Sequence, residues 1–214
     1  MMQQAGGMDV NVLMQRLKRL VMLDTTVFDE VRTDPNSTIP AIVVAIVATL
    51  LSGLGGWLWW SFAGLPESGK VFVQSFVIGS ILAIVLWGVF VAITYVMLTQ
   101  VFRARADVNE LIRVMGFATA PLALSLLMFI PGLDFGIALT SIALFFGATV
   151  IAAQTATDAP AGRVLVSCAA GFAVWAVILG LLTTASHGYA PGIFIMDRGV
   201  DLLRDFGGSS SRLF

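Results

Sequence analysis

Charged side chains are absent from five long stretches of the chain: Pro35 to Pro66, Val71 to Phe102, Val114 to Leu133, Phe135 to Thr157 and Val164 to Met196. A helix crosses the hydrocarbon core of a bilayer with about 20 predominantly apolar residues, and each stretch is long enough. The pattern therefore predicts an all-α, polytopic membrane bundle of five transmembrane helices. The first covers about Ile39 to Trp60 and the second lies within Val71 to Phe102. The third starts near Val114, meets Pro121 in its interior and closes at Ile130-Pro131-Gly132. The fourth covers about Phe135 to Ala156 and the fifth about Val164 to Ala185. Proline removes a backbone bond and tends to kink a helix, so a kink is expected at Pro121. So few residues join the third and fourth spans that they must form an antiparallel hairpin.

A different periodicity precedes the first span. Val10, Leu13, Met14, Leu17, Leu20 and Val21 recur at the spacing that gathers one apolar stripe on a helix. An N-terminal amphipathic helix is thus expected over Asp9 to Leu23, with Asp9 as its N-cap. Arg16 and Arg19 lie off the stripe with Lys18 between them. Arg16, Lys18 and Arg19 are therefore interfacial-contact candidates, suited to a membrane surface or to the ends of the spans. The pattern divides the chain into a cytoplasmic segment over 1–38, a five-span membrane domain over 39–186 and an outer tail over 187–214. In the tail, apolar and charged residues alternate from Ile193 to Phe206, and a short interfacial helix is expected from about Asp197 to Phe206.

Within the spans, small residues recur at every fourth position: Ala41, Ala45, Thr49 and Gly53, then Ser52 and Gly56, and Ala143 and Gly147. Small side chains at this spacing let helix backbones approach closely in lipid. Ala45, Thr49, Gly53, Gly56, Gly116, Pro121 and Gly147 are accordingly the candidate helix-packing residues. Trp57, Trp59 and Trp60 end the first span, where indole rings suit the membrane interface.

Composition adds exclusions. Of 214 residues, 58% are hydrophobic and 12% charged, about half the charge of a soluble domain. A net charge of −1 without a basic block argues against nucleic acid as a partner. The single cysteine, Cys168, permits neither an internal disulfide nor a thiolate metal cluster. The N-terminus begins Met1-Met2-Gln3-Gln4 with no early apolar core, so the first span is expected to serve as an uncleaved signal.

Candidate chemistry is sparse. Transporters and pumps station ionisable groups inside the bilayer, and the middle of every span lacks them. Asp134 sits in the hairpin, as an N-cap of the fourth span or, without a second carboxylate, an unpartnered ion site. His187 is the lone histidine, a capping residue or a haem or chlorin ligand. No nucleophile elbow, Walker loop, zinc-protease motif or dinucleotide fingerprint is present. No catalytic, metal or cofactor residue is assigned, and no cofactor is expected.

Orientation follows from Lys and Arg. Arg16, Lys18, Arg19, Arg32, Arg103, Arg105, Arg113 and Arg163 make eight on one side, against Lys70, Arg198, Arg204 and Arg212, four on the other. The N-terminus is expected in the cytoplasm and the C-terminus outside, in the cell membrane.

Three stretches carry a likeness. They are the charged helix and Val27-Phe28-Asp29-Glu30-Val31 with Asp34-Pro35, then Gly116-Phe117-Ala118-Thr119-Ala120-Pro121, and Ile130-Pro131-Gly132 with the hairpin after it. Together they resemble the Yip family (Ypt/Rab-interacting membrane proteins), in its bacterial branch, over roughly Leu13 to Ala185. The resemblance implies five spans with a cytoplasmic N-terminus. The eukaryotic members are associated with vesicle traffic and small GTPases. Their Asp-Leu-Tyr-Gly-Pro signature has no match in this chain, so GTPase binding is not implied. The expectation is a non-catalytic membrane protein, a scaffold or accessory subunit whose partners are the lipid bilayer and other membrane subunits. A small transporter or channel, a membrane-shaping lipid-binding protein and a pigment- or haem-associated subunit are the alternatives.

Overall fold

The computed structural model describes residues 9–185 and 189–196. His187 and the interfacial helix expected from Asp197 lie outside them.

Two short helices precede the bundle, α1 (Val10–Val21) and α2 (Thr26–Thr33). The Asp9 carboxylate caps α1 by accepting from the backbone N–H groups of Asn11 and Val12, as its place before the apolar stripe demands. A 3-10 turn at Pro35–Ser37 then leads into the first spanning helix, Thr38–Phe62.

Five helices are long and apolar enough to cross a membrane, and the described residues form no strand. The second, Ser68–Val101, contains two π-helical stretches, Phe72–Gly79 and Met97–Val101. The third, Val108–Phe129, is α-helical over Val108–Phe117 and 3-10 over Ala120–Phe129. Pro121 stands in the first turn of that 3-10 stretch, where its missing N–H removes no bond. The break falls just before the proline, at Ala118 and Thr119. The third span also starts six residues earlier than the charge pattern suggests. Asp107 accepts from Asn109 and Glu110 N–H groups and so opens a helix inside the charged stretch. The fourth span is Asp134–Thr155 and the fifth Ala161–Ala185.

Burial ranks the spans. The most apolar window of the third is 61% buried and that of the first 50%, against 28% for the fourth and 33% for the second and fifth. The first and third spans are therefore the axis and the others wrap it, turning apolar faces outward. α2 closes one end of the bundle, with Val27, Phe28 and Val31 buried in the same core as Leu111, Val114 and Met115 of the third span. At that end an isolated bridge pairs Ala106 with Thr157, tying the loop after the second span to the loop after the fourth. At the opposite end Trp59, Trp60, Met128, Ala138 and Ile195 form a second core.

Candidate functional site

Beside α2, opposite charges converge. Arg16 donates from Nε to Glu30 (2.8 Å), from one terminal nitrogen to Asp34 (3.0 Å) and from the other to the Ser37 hydroxyl (2.7 Å). Its side chain is only 10% exposed. Arg19 donates to Asp24 (2.9 Å), Glu30 (2.7 Å) and Thr26 (2.9 Å). Asp24 is held at about 2, first by the Thr26 hydroxyl and then by Arg19. Glu30 is held below its ordinary value, chiefly by Arg16. Burial opposes ionisation of Asp34, but Ser37 and Arg16 outweigh it and its carboxyl is also lowered. Arg113, itself buried, donates to the carbonyl of Arg32 at the end of α2 (2.7 Å), where a cation complements the helix dipole. The guanidinium groups of Arg16 and Arg19 thus join α1, α2 and the turn before the first span. Lys18 is exposed and forms no ion pair among the described residues.

α1 turns part of its apolar stripe inward. Leu13, Leu17 and Leu20 pack against the main core, while Val10, Met14 and Val21 are exposed and continue into exposed Met22 and Leu23. Leu23 has φ +61° and is 78% exposed. A bulky residue in the left-handed region is uncommon, and this one presents its side chain to the surroundings.

The small residues define a seam along the first span. A methyl at Gly116 would meet the carbonyl oxygen of Ala41 at 2.7 Å and its Cβ at 2.8 Å. A methyl at Gly55 would collide with the Ser125 carbonyl oxygen, and one at Gly53 with the Ser80 hydroxyl. Ala45 and Thr49 are buried on the same span. At Gly147 a methyl would meet no atom within 4 Å. Gly171 of the fifth span lies against the Phe90 ring and carbonyl. Gly55 belongs to this seam although no four-residue repeat singled it out.

The segment Tyr189–Met196 completes the seam. The Ser75 hydroxyl donates to the Ala190 carbonyl (2.7 Å), and a methyl at Gly56 would meet the backbone nitrogen of Gly192 at 3.0 Å. The chain therefore turns back after the fifth span and seats itself between the first two. Phe194 packs edge-on against Trp175 at 5.5 Å. Beneath it a gap of about 10 Å³ is lined by Thr49, Ser52 and Ser125 among others. Ser125 and Ser141 share a hydrogen bond nearby.

Asp134 is the first residue of the fourth span. It accepts from the Phe135 N–H and from the Trp59 indole N–H, both at 2.9 Å. Trp57 and Trp60 likewise donate to the carbonyls of Ser68 (3.0 Å) and Pro66 (2.9 Å). Trp59 and Trp60 are buried. These two indoles have protein acceptors. Cys168 is buried. Among the described residues no group of three His, Cys, Asp or Glu side chains is placed to hold a metal ion.

These elements define a multi-pass membrane protein whose outer helix faces contact lipid. A family model, the Yip1 domain, matches residues 21–190, and the chain belongs to that family. No curated protein and no solved structure matches it.

Proposed function

We propose that the protein acts without catalysis, as a scaffold or accessory subunit of a larger assembly in the cell membrane, its N-terminus cytoplasmic and its C-terminus outside. One observation carries this reading. The spans carry no charged side chain at mid-length, and hydroxyls such as Ser75, Ser125, Ser141 and Thr183 bond to one another or to backbone, although Ser80, Trp87 and Thr149 are left without a hydrogen-bond partner; the outward faces are apolar. The gap that Thr49, Ser52 and Ser125 share with seven apolar or aromatic residues measures about 10 Å³ and has room for about one water molecule. The seam residues Ala45, Thr49, Gly53, Gly56, Gly116 and Pro121 hold the bundle, leaving the second, fourth and fifth spans for lipid and partner subunits. Purification in mild detergent with mass spectrometry tests the idea. Stoichiometric membrane partners are expected; a lone monomer without partners counts heavily against it. Cysteine labelling from each side of intact cells tests the orientation.

The outward apolar face of α1 favours a second reading, lipid binding with membrane shaping. Arg16 and Arg19 are occupied within the protein, so Lys18 is the cation of α1 left for anionic headgroups, with Val21, Met22 and Leu23 entering the acyl boundary. A Val21→Asp/Leu23→Asp double variant should lose any tubulation of anionic vesicles. Undiminished tubulation removes this reading.

A further inference from the structure

The loop after the second span and the loop after the fourth form one ledge. Ala106 and Thr157 pair across it as an isolated antiparallel bridge. The Thr157 hydroxyl donates to the Arg105 carbonyl (2.8 Å), and the Arg105 N–H donates to the Asp158 carboxylate (2.7 Å). The Arg163 guanidinium lies over the Phe102 ring, 5.8 Å from its centroid, a cation–π contact. Arg103 has φ +53°, in the left-handed region that a non-glycine residue seldom enters. The ledge is thus fixed by bonds from both loops.

Its charges are unevenly used. Arg103, Arg105 and Arg163 are exposed, and none of them forms an ion pair among the described residues. The carboxylates of the ledge are turned to backbone instead. Asp158 accepts from the Arg105 N–H, and Asp107 from the N–H groups of Asn109 and Glu110. Glu110 itself pairs with Arg32 at 3.9 Å. The first turn of the fifth span holds no acidic residue and carries Arg163, although a helix N-terminus favours negative charge.

What lies beside the ledge decides the kind of anion it fits. Val96 and Val101 at the end of the second span are exposed, as are Leu165 and Val166 at the start of the fifth. Arg103 follows Val101 by two residues, and Arg163 precedes Leu165 by two. Faces that meet hydrocarbon therefore pass within one turn into guanidinium groups. At that level a bilayer presents phosphate, whose oxygens a guanidinium matches with paired N–H bonds. A water-borne acidic partner would leave the apolar faces alongside without a role.

We propose that the ledge is a binding site for the phosphodiester headgroup of an anionic phospholipid, held by Arg103, Arg105 and Arg163. Because the ledge is already ordered, it loses little freedom on binding. It uses other residues than the exposed face of α1 and stands or falls separately.

The full-length protein in a mild nonionic detergent is given equimolar phosphatidylglycerol and phosphatidylcholine of the same acyl chains, and bound lipid is counted by native mass spectrometry. Phosphatidylglycerol should be retained several-fold over phosphatidylcholine, and the preference should fall as salt rises. Arg103→Gln/Arg105→Gln/Arg163→Gln should bring the ratio near one, and Lys18→Gln on α1 should leave it unchanged. Equal retention by the unaltered protein, or a preference that survives the triple variant, overturns the site. A preference that Lys18→Gln abolishes overturns it in favour of α1. Displacement of phosphatidylglycerol by millimolar inorganic phosphate overturns it in favour of a free anion. A photoreactive residue in place of Val101 should capture lipid in native membranes; capture of a protein overturns the site in favour of an acidic partner. Should the triple variant fail to fold, Arg103→Gln and Arg105→Gln singly should each lower the ratio, and an unchanged ratio in both overturns the site.

Discussion

Gly55 and the backbone carbonyl of Ser125 approach so closely that no Cβ fits between them. This contact lets the first span lie against the 3-10 half of the third, and it separates two glycines that look alike in sequence. Gly55→Ala must push the two backbones apart and should lower stability by about 1–3 kcal/mol. Gly147→Ala adds a methyl where nothing stands within 4 Å and should raise stability by about 0.5–1 kcal/mol through helix propensity. Unfolding curves in mild detergent for both variants check the contrast; equal shifts in one direction would contradict it.

Arg16 binds Glu30, Asp34 and Ser37 at once. Arg16→Ala should loosen α1 by about 1–3 kcal/mol, toward the lower end because the two carboxylates keep access to water. The loss should be local. Amide hydrogen exchange should quicken in α1 and the turn at Pro35–Ser37 while the spans keep their protection. Protection lost throughout the bundle would give Arg16 a wider role.

The same clasp predicts an acid response. Asp24, Glu30 and Asp34 all ionise below their ordinary values in the folded protein. Groups lowered on folding stabilise above their unfolded pKa, near pH 4, and lose that contribution as pH falls through the folded value. α1 should therefore hold at pH 5 and above and loosen between about pH 4 and the value of about 2 reached at Asp24. Fluorescence from a probe at Met14 would report it. An unchanged signal down to pH 2 would show that α1 is held by its leucines alone.

The spans were legible because lipid forbids unpaired charge over long runs, and no tertiary detail changes that. The onset of the third span was not, because Arg105, Asp107, Glu110 and Arg113 resemble a loop until Asp107 is recognised as a cap. Small-residue spacing marks faces able to pack without telling which face meets a neighbour, so it proposed Gly147 and passed over Gly55. The orientation of Arg16 depends on carboxylates 14 and 18 residues away, beyond any local pattern. The π-helical stretches of the second span carry no sequence signal either. Phe72–Gly79 is explained only by what lies against it, with Ser75 bonded to Ala190 and Gly79 facing the backbone of Tyr189 and Ala190.

Trp59 and Asp134 connect the end of the first span to the start of the fourth. Asp134→Asn retains a carbonyl acceptor and should be nearly neutral. Asp134→Ala leaves a buried indole N–H without its partner and should lower stability by about 1–3 kcal/mol. Trp59→Phe removes the donor and much of the penalty with it, so the double variant Trp59→Phe/Asp134→Ala should be less destabilised than the sum of its parts. Additive losses would show that the bond contributes nothing.

The returning segment makes a last and sharper demand. Gly192 has φ +64°, and a methyl there would collide with the Ser52 hydroxyl. Gly192→Ala therefore combines backbone strain with a clash, and Ser75→Ala withdraws the donor from the Ala190 carbonyl. Either change should lift the segment from the first span without disturbing the α1 end of the bundle. Ile195 is fully buried, so an Ile195→Cys reporter in a Cys168→Ala background should react slowly with a maleimide. Ser75→Ala and Gly192→Ala should each speed that reaction several-fold. An unchanged rate at residue 195 in both variants would mean that the segment is held by its apolar contacts alone, without the Ser75 bond or the turn at Gly192.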